Sequence, residues 1–305
     1  MSGDSMGGDK PWLPDTSARC PVPRATQEWI ESSLDWCTSE FGTEVLTRDV
    51  SLPAAGFLPV PYTATTGQIA TIINRACVLM GVDRAAVQVD LFDGTAEKQR
   101  LAALKSAKSR AVGHFHMADG KAVVGLDRSE AADPSVLTAI IVHELGHVRL
   151  LGERRVTRDR RDHERLTDLL TVYFGFGIFS ANAALTYAKA ARTWSVHPLG
   201  ELDERTLNAA RNDGFQRLGY LREPEFGYAL ACYCWLRAEP DPPWARYLDT
   251  GVRAYLKPGL GYLARTATGT TLPTRRIVGQ TLRYGSATVR VVSGPVPARW
   301  PPQLP

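Results

Sequence analysis

Apolar residues recurring at helical period mark most of this chain, and strand-like alternation is confined to a few short stretches. Gln27–Phe41 reads as an amphipathic helix with Trp29, Ile30, Leu34, Trp36 and Cys37 as candidate core positions. Gly67–Met80 repeats the pattern through Ile69, Ile72, Ile73, Ala76 and Leu79, and the proline-rich Leu52–Tyr62 between them predicts irregular chain. Val87–Phe92 reads as a strand. Arg110–His116 and Lys121–Asp127 read as two more, joined by Ala118-Asp119-Gly120, and Asp-Gly is a strong hairpin signal. Val136–Leu151 is different. Leu137, Ile140, Ile141, Val142, Leu145, Val148 and Leu151 cover most of a helix surface, which predicts a buried helix. Asp133-Pro134 supplies its N-cap and first helical position, and Gly152 its stop.

The downstream pattern is mainly helical: Leu166–Phe179 is strongly apolar, and Ala183–Trp194, Asp203–Leu218, Glu223–Arg237 and Pro243–Leu256 follow, with breaks at Gly200, Gly219 and Asp241-Pro242-Pro243. From Thr266 the chain is rich in Thr, Gly and Pro, with strand-like Ile277–Arg283 and Ala287–Val292 and an extended end, Pro295–Pro305. This divides the chain into a disordered tail (1–24), a metal-binding portion (25–182), a helical lower lobe (183–265) and an extended C-terminal tail (266–305). No internal repeat is visible. Leu169–Ala188 lacks charge and has the length of a membrane span. Thr171, Gly175, Gly177, Ser180, Asn182 and Thr186 interrupt it, which assigns it to the core, so no membrane span is favoured.

Composition narrows the class. With 305 residues, 44% of them hydrophobic, the chain can bury a sizeable core. Its 5 cysteines are irregularly spaced and odd in number, which argues for reduced thiols over a disulfide scaffold. Residues 1–24 are rich in Gly, Asp, Ser and Pro and carry no apolar signal region, so a cytoplasmic location is expected.

Candidate chemistry sits inside the buried helix. His143-Glu144-Leu145-Gly146-His147 reads H-E-x-x-H, and residues four apart lie about 40° apart around a helix, so both imidazoles share one face. That spacing suits one Zn²⁺ gripped by two ring nitrogens, with Glu144 placed to act on a metal-bound water. A metal would also satisfy two imidazoles that cost about 1–3 kcal/mol each when buried without partners. A catalytic zinc takes three protein ligands, and His163-Glu164-Arg165-Leu166-Thr167-Asp168 offers the third. Glu164 and Asp168 share one helical face. One division of labour has Glu164 on the metal and Asp168 accepting a hydrogen bond from a ligand histidine, which fixes that ring's tautomer.

At these residues the chain resembles the gluzincin metallopeptidases, which carry H-E-x-x-H on one helix and E-x-x-x-D on the next. The resemblance covers His143–His147 and Glu164–Asp168 in motif, and residues 110–180 in layout; the short linker is similar to that of compact gluzincins. The metzincin pattern fails, because Leu150 and Glu153 stand where glycine and histidine are required. As a whole the chain resembles a bacterial protein. The resemblance implies one Zn²⁺ held by His143, His147 and Glu164, Glu144 as general base, and Asp168 supporting a ligand. It also implies an α+β, zincin-like fold: a small sheet packed on two metal-binding helices, with a mainly helical C-terminal half. Zincins set an edge strand beside the metal helix for a peptide substrate, and Ala122–Leu126 is the expected edge. Tyr228, Tyr220 and His197 are oxyanion-stabilising candidates by chemistry alone.

These features point to a zinc metallopeptidase acting on peptide or protein substrates. A zinc hydrolase of non-peptide amides and a non-catalytic zincin-fold binding protein are the rival readings. Two further features fit a bland account. His114 and His116 share a strand face without a third ligand nearby in sequence, and read as surface or cleft residues. Arg154, Arg155, Arg158, Arg160 and Arg161 crowd the linker between the motifs, where Glu153, Asp159, Asp162 and Glu164 partly balance them. That basic loop could steer an acidic peptide, but no specific nucleic-acid module is present.

Overall fold

The computed structural model describes residues 19–92, 113–118, 121–127, 131–157, 159–184, 221–266, 279–284 and 287–292. Helix α1 (Arg24–Phe41) turns Ile30, Leu34 and Cys37 inward. Helix α2 (Thr66–Met80) is fixed at both ends by local chemistry. Thr65 and Gln68 form a reciprocal capping box at its start, and Gly81 takes the left-handed conformation at its end (φ 66°). The irregular segment between the two helices is the expected one, and its Phe57 and Leu58 reach the core.

Three strands form one sheet: β1 (Val87–Phe92), β2 (Gly113–Ala118) and β3 (Lys121–Asp127), in the order β1-β3-β2. The β2–β3 hairpin runs antiparallel, with Ala118 opposite Lys121, as the Asp-Gly signal predicts; the turn residues themselves lie outside the described residues. The expected edge strand is corrected here. β3 pairs with β2 on one side and in parallel with β1 on the other, Val87 facing Ala122 through Phe92 facing Asp127. The composition agrees: Ala122, Val123, Val124 and Leu126 are all buried, so both faces of β3 are covered. β1 instead alternates buried Val87 and half-buried Val89 and Leu91 with exposed Gln88 and Asp90, the signature of a half-covered edge.

Helix α3 (Pro134–His147) begins where Asp133 accepts hydrogen bonds from the amides of Ser135 (2.8 Å) and Val136 (3.3 Å), with Pro134 in the first turn. Every residue from Leu137 to His147 is buried. A cap is worth about 1 kcal/mol and one buried Leu, Ile or Val about 1.5–3 kcal/mol, so packing, not capping, holds this helix in place. Its last turn widens into a π-helix (Val148–Gly152), closed by a bond from the Glu153 amide to the Val148 carbonyl. Among the described residues, Pro134–Gly152 is the one helix long and apolar enough to cross a membrane, and it is mostly buried inside the molecule.

Helix α4 (His163–Tyr173) crosses α3, and a further helical stretch, residues 177–184, continues inward after Gly175 (φ 84°). The uncharged segment that follows Asp168 is buried as far as Ala183, apart from the half-buried Asn182. Helices α5 (Glu223–Leu236) and α6 (Thr250–Thr266) complete the helical half. α6 begins later than Pro243–Leu256 predicts, because Pro243–Tyr247 forms a separate 3₁₀ turn. The helices expected at Ala183–Trp194 and Asp203–Leu218 lie mainly outside the described residues. β4 (Gly279–Tyr284) and β5 (Ala287–Val292) pair antiparallel close to the expected strands. The fold is thus mixed and mostly helical, and its buried apolar residues, from Val22 to Leu263, form one core.

α5 and α6 approach closely where Gly227 faces Tyr255. A Cβ on Gly227 would lie 2.4 Å from the Tyr255 Cβ and 3.0 Å from its backbone carbon. Gly227→Ala is expected to destabilise the fold by about 1–3 kcal/mol in urea unfolding, since neither contact can yield by a side-chain rotation. Gly67→Ala, with open space at its Cβ, should leave stability unchanged or raise it by up to about 1 kcal/mol.

Candidate metal centre

Position 146 decides how the two motif helices meet. A Cβ on Gly146 would sit 2.7 Å from the Thr167 Cγ2, so the absent side chain lets α3 and α4 cross almost in contact. That crossing brings the two sequence motifs together. His143, His147 and Glu164 each offer one ligand atom, and all three atoms lie within 4.8 Å of one another. The Glu164 Oε2 is 3.2 Å from His143 Nε2 and 3.3 Å from His147 Nε2. Two ligands bonded at about 2.0–2.1 Å to a tetrahedral metal stand about 3.3–3.4 Å apart, so both separations have the right length for edges of such a site.

The remaining ring nitrogens are committed elsewhere. The Asp168 carboxylate lies 3.0 Å from His143 Nδ1 through one oxygen and accepts from the Leu221 amide (3.1 Å) through the other. The Thr167 hydroxyl donates to the His163 carbonyl (2.8 Å), which leaves it able to accept from His147 Nδ1 at 3.4 Å. Nδ1 of each ring is thereby engaged by α4, and Nε2 of each faces the Glu164 carboxylate. Asp168, expected to accept from a ligand histidine, lies against His143. Thr167 and the Leu221 amide were not singled out; only the i, i+4 relation of His163 to Thr167 hinted at the first, and nothing local signals the second.

The electrostatics follow from burial. Burial lowers the pKa of His147, and Glu164 only partly offsets it. Burial would lower His143 too, but its bonds to Asp168 and Glu164 outweigh that and hold it well above the ordinary imidazole range. Glu164 is opposed by burial yet held far below the usual carboxylate range by the two histidines. Glu144 has no such partners. It is buried, its Oε2 makes no hydrogen bond, and burial pushes its carboxyl up to about 7, with His143 opposing and Glu164 adding to the shift. An orphaned buried carboxylate oxygen beside a two-histidine, one-carboxylate donor set fits a divalent metal such as zinc, whose bound water would give that oxygen a partner.

Neighbouring contacts hold the start of α4 in place. Trp29 of α1 donates its indole N–H to Asp162 (2.7 Å), and Arg160 pairs with the same carboxylate (2.7 Å). Arg165 stacks over Trp29, 4.2 Å from the ring centre, and pairs with Glu225 of α5 (3.1 Å). The basic linker is partly neutralised in the same way: Arg155 pairs with Glu40 (2.7 Å) and Glu153 (2.8 Å), while Arg154 and Arg161 are exposed. Arg158 lies outside the described residues.

Of the oxyanion candidates, Tyr228 is fully buried with its hydroxyl donating to Glu31, and burial drives its phenol far above the ordinary range. Tyr220 and His197 lie outside the described residues. His116 is exposed on β2, as a surface reading expects, and the His114 side chain is outside the described residues. Cys37, Cys77, Cys232 and Cys234 are buried free thiols, and Cys20 is half-buried and free.

No family model matches this chain, and no curated protein or solved structure matches it either.

The two acids near the start of α4 should behave differently. Glu164→Ala is expected to abolish tight zinc uptake measured by competition with a chromophoric chelator. Asp162→Ala, whose carboxylate serves Trp29 and Arg160, should retain uptake within a few-fold. Asp168→Asn should weaken uptake by about 10–100-fold, the usual loss when the group orienting a ligand histidine is changed.

Proposed function

We propose that this protein is a zinc-dependent hydrolase of the metallopeptidase type, acting on peptide bonds. The observation that carries this reading is the convergence of His143, His147 and Glu164 beside the buried Glu144, whose Oε2 makes no hydrogen bond. The same four residues carry the resemblance to gluzincins, and α3 and α4 correspond to the two helices that such a site requires.

A zinc ion held by His143, His147 and Glu164 would supply Lewis acidity and lower the pKa of a water toward about 7. The protein's own residues supply the rest. Glu144 is one residue from His143 on α3, and its carboxyl, shifted up to about 7 by burial, is suited to accept a proton from water and return it to a leaving amine. Balance is kept in the peptide case: water adds to the carbonyl carbon, the C–N bond breaks, and the proton taken by Glu144 leaves with the nitrogen. Asp168 and Thr167 keep His143 and His147 in the tautomers that direct Nε2 inward, so the donor set is organised before a ligand arrives.

Among the described residues, the cluster is most exposed at the start of α4. The Glu164 and His163 side chains are each 27% exposed, against 9% for His143 and His147. A substrate therefore meets the cluster at the start of α4, beside the exposed Arg161 of the linker. The former edge-strand expectation moves with the topology: an extended peptide adding to this sheet would pair with β1 or β2, since both sides of β3 are taken.

Elemental analysis of purified protein is expected to find about one zinc per chain in the wild type and none in His147→Ala. A folded wild type that takes up no zinc after incubation with the metal would overturn the reading. Glu144→Gln should keep the zinc and lose turnover of a fluorogenic peptide library by a factor of about 10²–10⁴, the ordinary contribution of a general base. Full activity in that variant would remove Glu144 from the role, and cleavage of small amides without any peptide cleavage would favour the non-peptide hydrolase.

A further inference from the structure

Trp29 sits at the margin of the core. The buried face of α1 is carried by Ile30, Leu34 and Cys37, while Trp29 beside them is half-buried. An indole offers two polar resources, the N–H at its edge and the π face of its ring, and both are directed here at α4. The N–H donates to Asp162 Oδ2 at 2.7 Å, and the Arg165 guanidinium lies 4.2 Å from the ring centre. Residues 162 and 165 bracket His163-Glu164 in the chain. One side chain of α1 therefore grips α4 on both sides of the candidate ligand Glu164.

The helix start supplies a second, independent observation. Asp162 is the N-cap residue of α4, and an aspartate there ordinarily accepts from an amide of the first turn. Here its side chain makes no capping bond. Its oxygens are taken instead by Arg160, at 2.7 and 3.0 Å, and by Trp29. The first turn thus forgoes its local cap, and the same carboxylate ties it to α1. Arg165 adds a link to α5: it pairs with Glu225 Oε1 at 3.1 Å, while Glu225 Oε2 accepts from the Arg222 amide at 2.8 Å. The Glu164 carboxylate faces the histidines, with Oε2 3.2 Å from His143 and 3.3 Å from His147. Where that carboxylate lies follows from where its turn lies, and Trp29 holds the turn at both ends.

We propose that Trp29 is a positioning residue for Glu164, acting through Asp162 and Arg165. The proposal rests on the zinc reading above. His143 and His147 ride on α3, so any displacement of the first turn of α4 changes both Glu164 separations at once. Trp29 suppresses that displacement. Its removal is therefore expressed in the donor set, as weaker and differently shaped coordination, and a loss of packing alone would not have that effect.

The test uses metal alone on the full chain. Zinc affinity by chelator competition and the visible spectrum of the cobalt(II)-substituted protein are compared for wild type, Trp29→Ala and Trp29→Phe. Gly259→Ala, whose Cβ would crowd Ala231 at 2.8 Å, serves as a destabilised control in α6. Trp29→Ala is expected to bind zinc about tenfold more weakly and to show altered cobalt bands. Trp29→Phe keeps a ring under Arg165 and loses the N–H alone, so it should stay within a few-fold of wild type with bands closer to it. The control should keep the wild-type bands. The double variant Asp162→Ala with Arg165→Ala severs both contacts and leaves Trp29 in α1; it should match Trp29→Ala, and it replaces that variant if far-UV circular dichroism shows Trp29→Ala unfolded. Wild-type affinity and bands in whichever of the two is folded would overturn the proposal and leave the three-ligand centre intact. Weaker binding with unchanged bands, or bands that Gly259→Ala alters equally, would also overturn it, because Trp29 would then contribute stability alone. A wild type that binds neither metal would remove the zinc reading itself, and this role with it.

Discussion

The molecule depends on one close crossing, where Gly146 of α3 meets Thr167 of α4. A side chain at 146 would press on the Thr167 methyl group, whose hydroxyl lies against His147. Everything chemical lies within one turn of that contact: His143 and His147 flank Gly146, and Glu164 and Asp168 flank Thr167. Thr167 serves twice, filling the space left by glycine with its methyl group and holding His147 with its hydroxyl. The packing constraint and the ligand geometry are thus one feature of the sequence, and neither helix could be rotated to suit packing without dispersing the donors.

The same burial creates an electrostatic problem that the protein leaves partly open. Glu144, Glu164 and Asp168 surround His143 in a space with little water. Asp168 accepts from the Leu221 amide and stands beside His143, yet burial still raises its pKa; Glu144 has no bond at Oε2 and is raised to about 7. Buried carboxylates without full pairing are costly, and a fold selected for stability alone would replace them with apolar groups. Two buried acids, Glu144 and Asp168, with the half-buried Glu164 beside two imidazoles are a charge arrangement that a divalent cation would balance.

Much of the site was legible because it is local. H-E-x-x-H and E-x-x-x-D each lie within one helix, where spacing alone fixes which side chains share a face, and the Asp133-Pro134 cap marks where the first of those helices begins. The apolar surface of α3 predicted its burial, and β1, β2 and β3 followed from alternation and the Asp-Gly turn. What failed was non-local. Ala122–Leu126 was expected as an edge from the resemblance to zincins, which set an edge strand beside the metal helix, whereas β1 pairs with β3 on its other side. Burial on both faces of β3 was written in its unbroken Ala-Val-Val-Gly-Leu run, which suits a central strand better than an edge. Tyr228 looked chemically capable, but its spacing carries no information about partners, and in the fold it belongs to Glu31.

The supports of the site come from the helical half as much as from the motifs. Leu221, just before α5, donates to Asp168, and Glu225 of α5 holds Arg165, which in turn lies over Trp29 of α1. Trp29 then secures Asp162, the residue before His163 and Glu164. The start of α4 is therefore fixed by α1 on one side and α5 on the other, and the ligand it carries inherits their positions. A shift of α5 would act on the centre by two routes, through Asp168 to His143 and through Arg165 to the turn carrying Glu164. That makes the helical half part of the candidate site's geometry, because small displacements of such outer contacts change the orientation of His143 and Glu164 before they change the residues themselves.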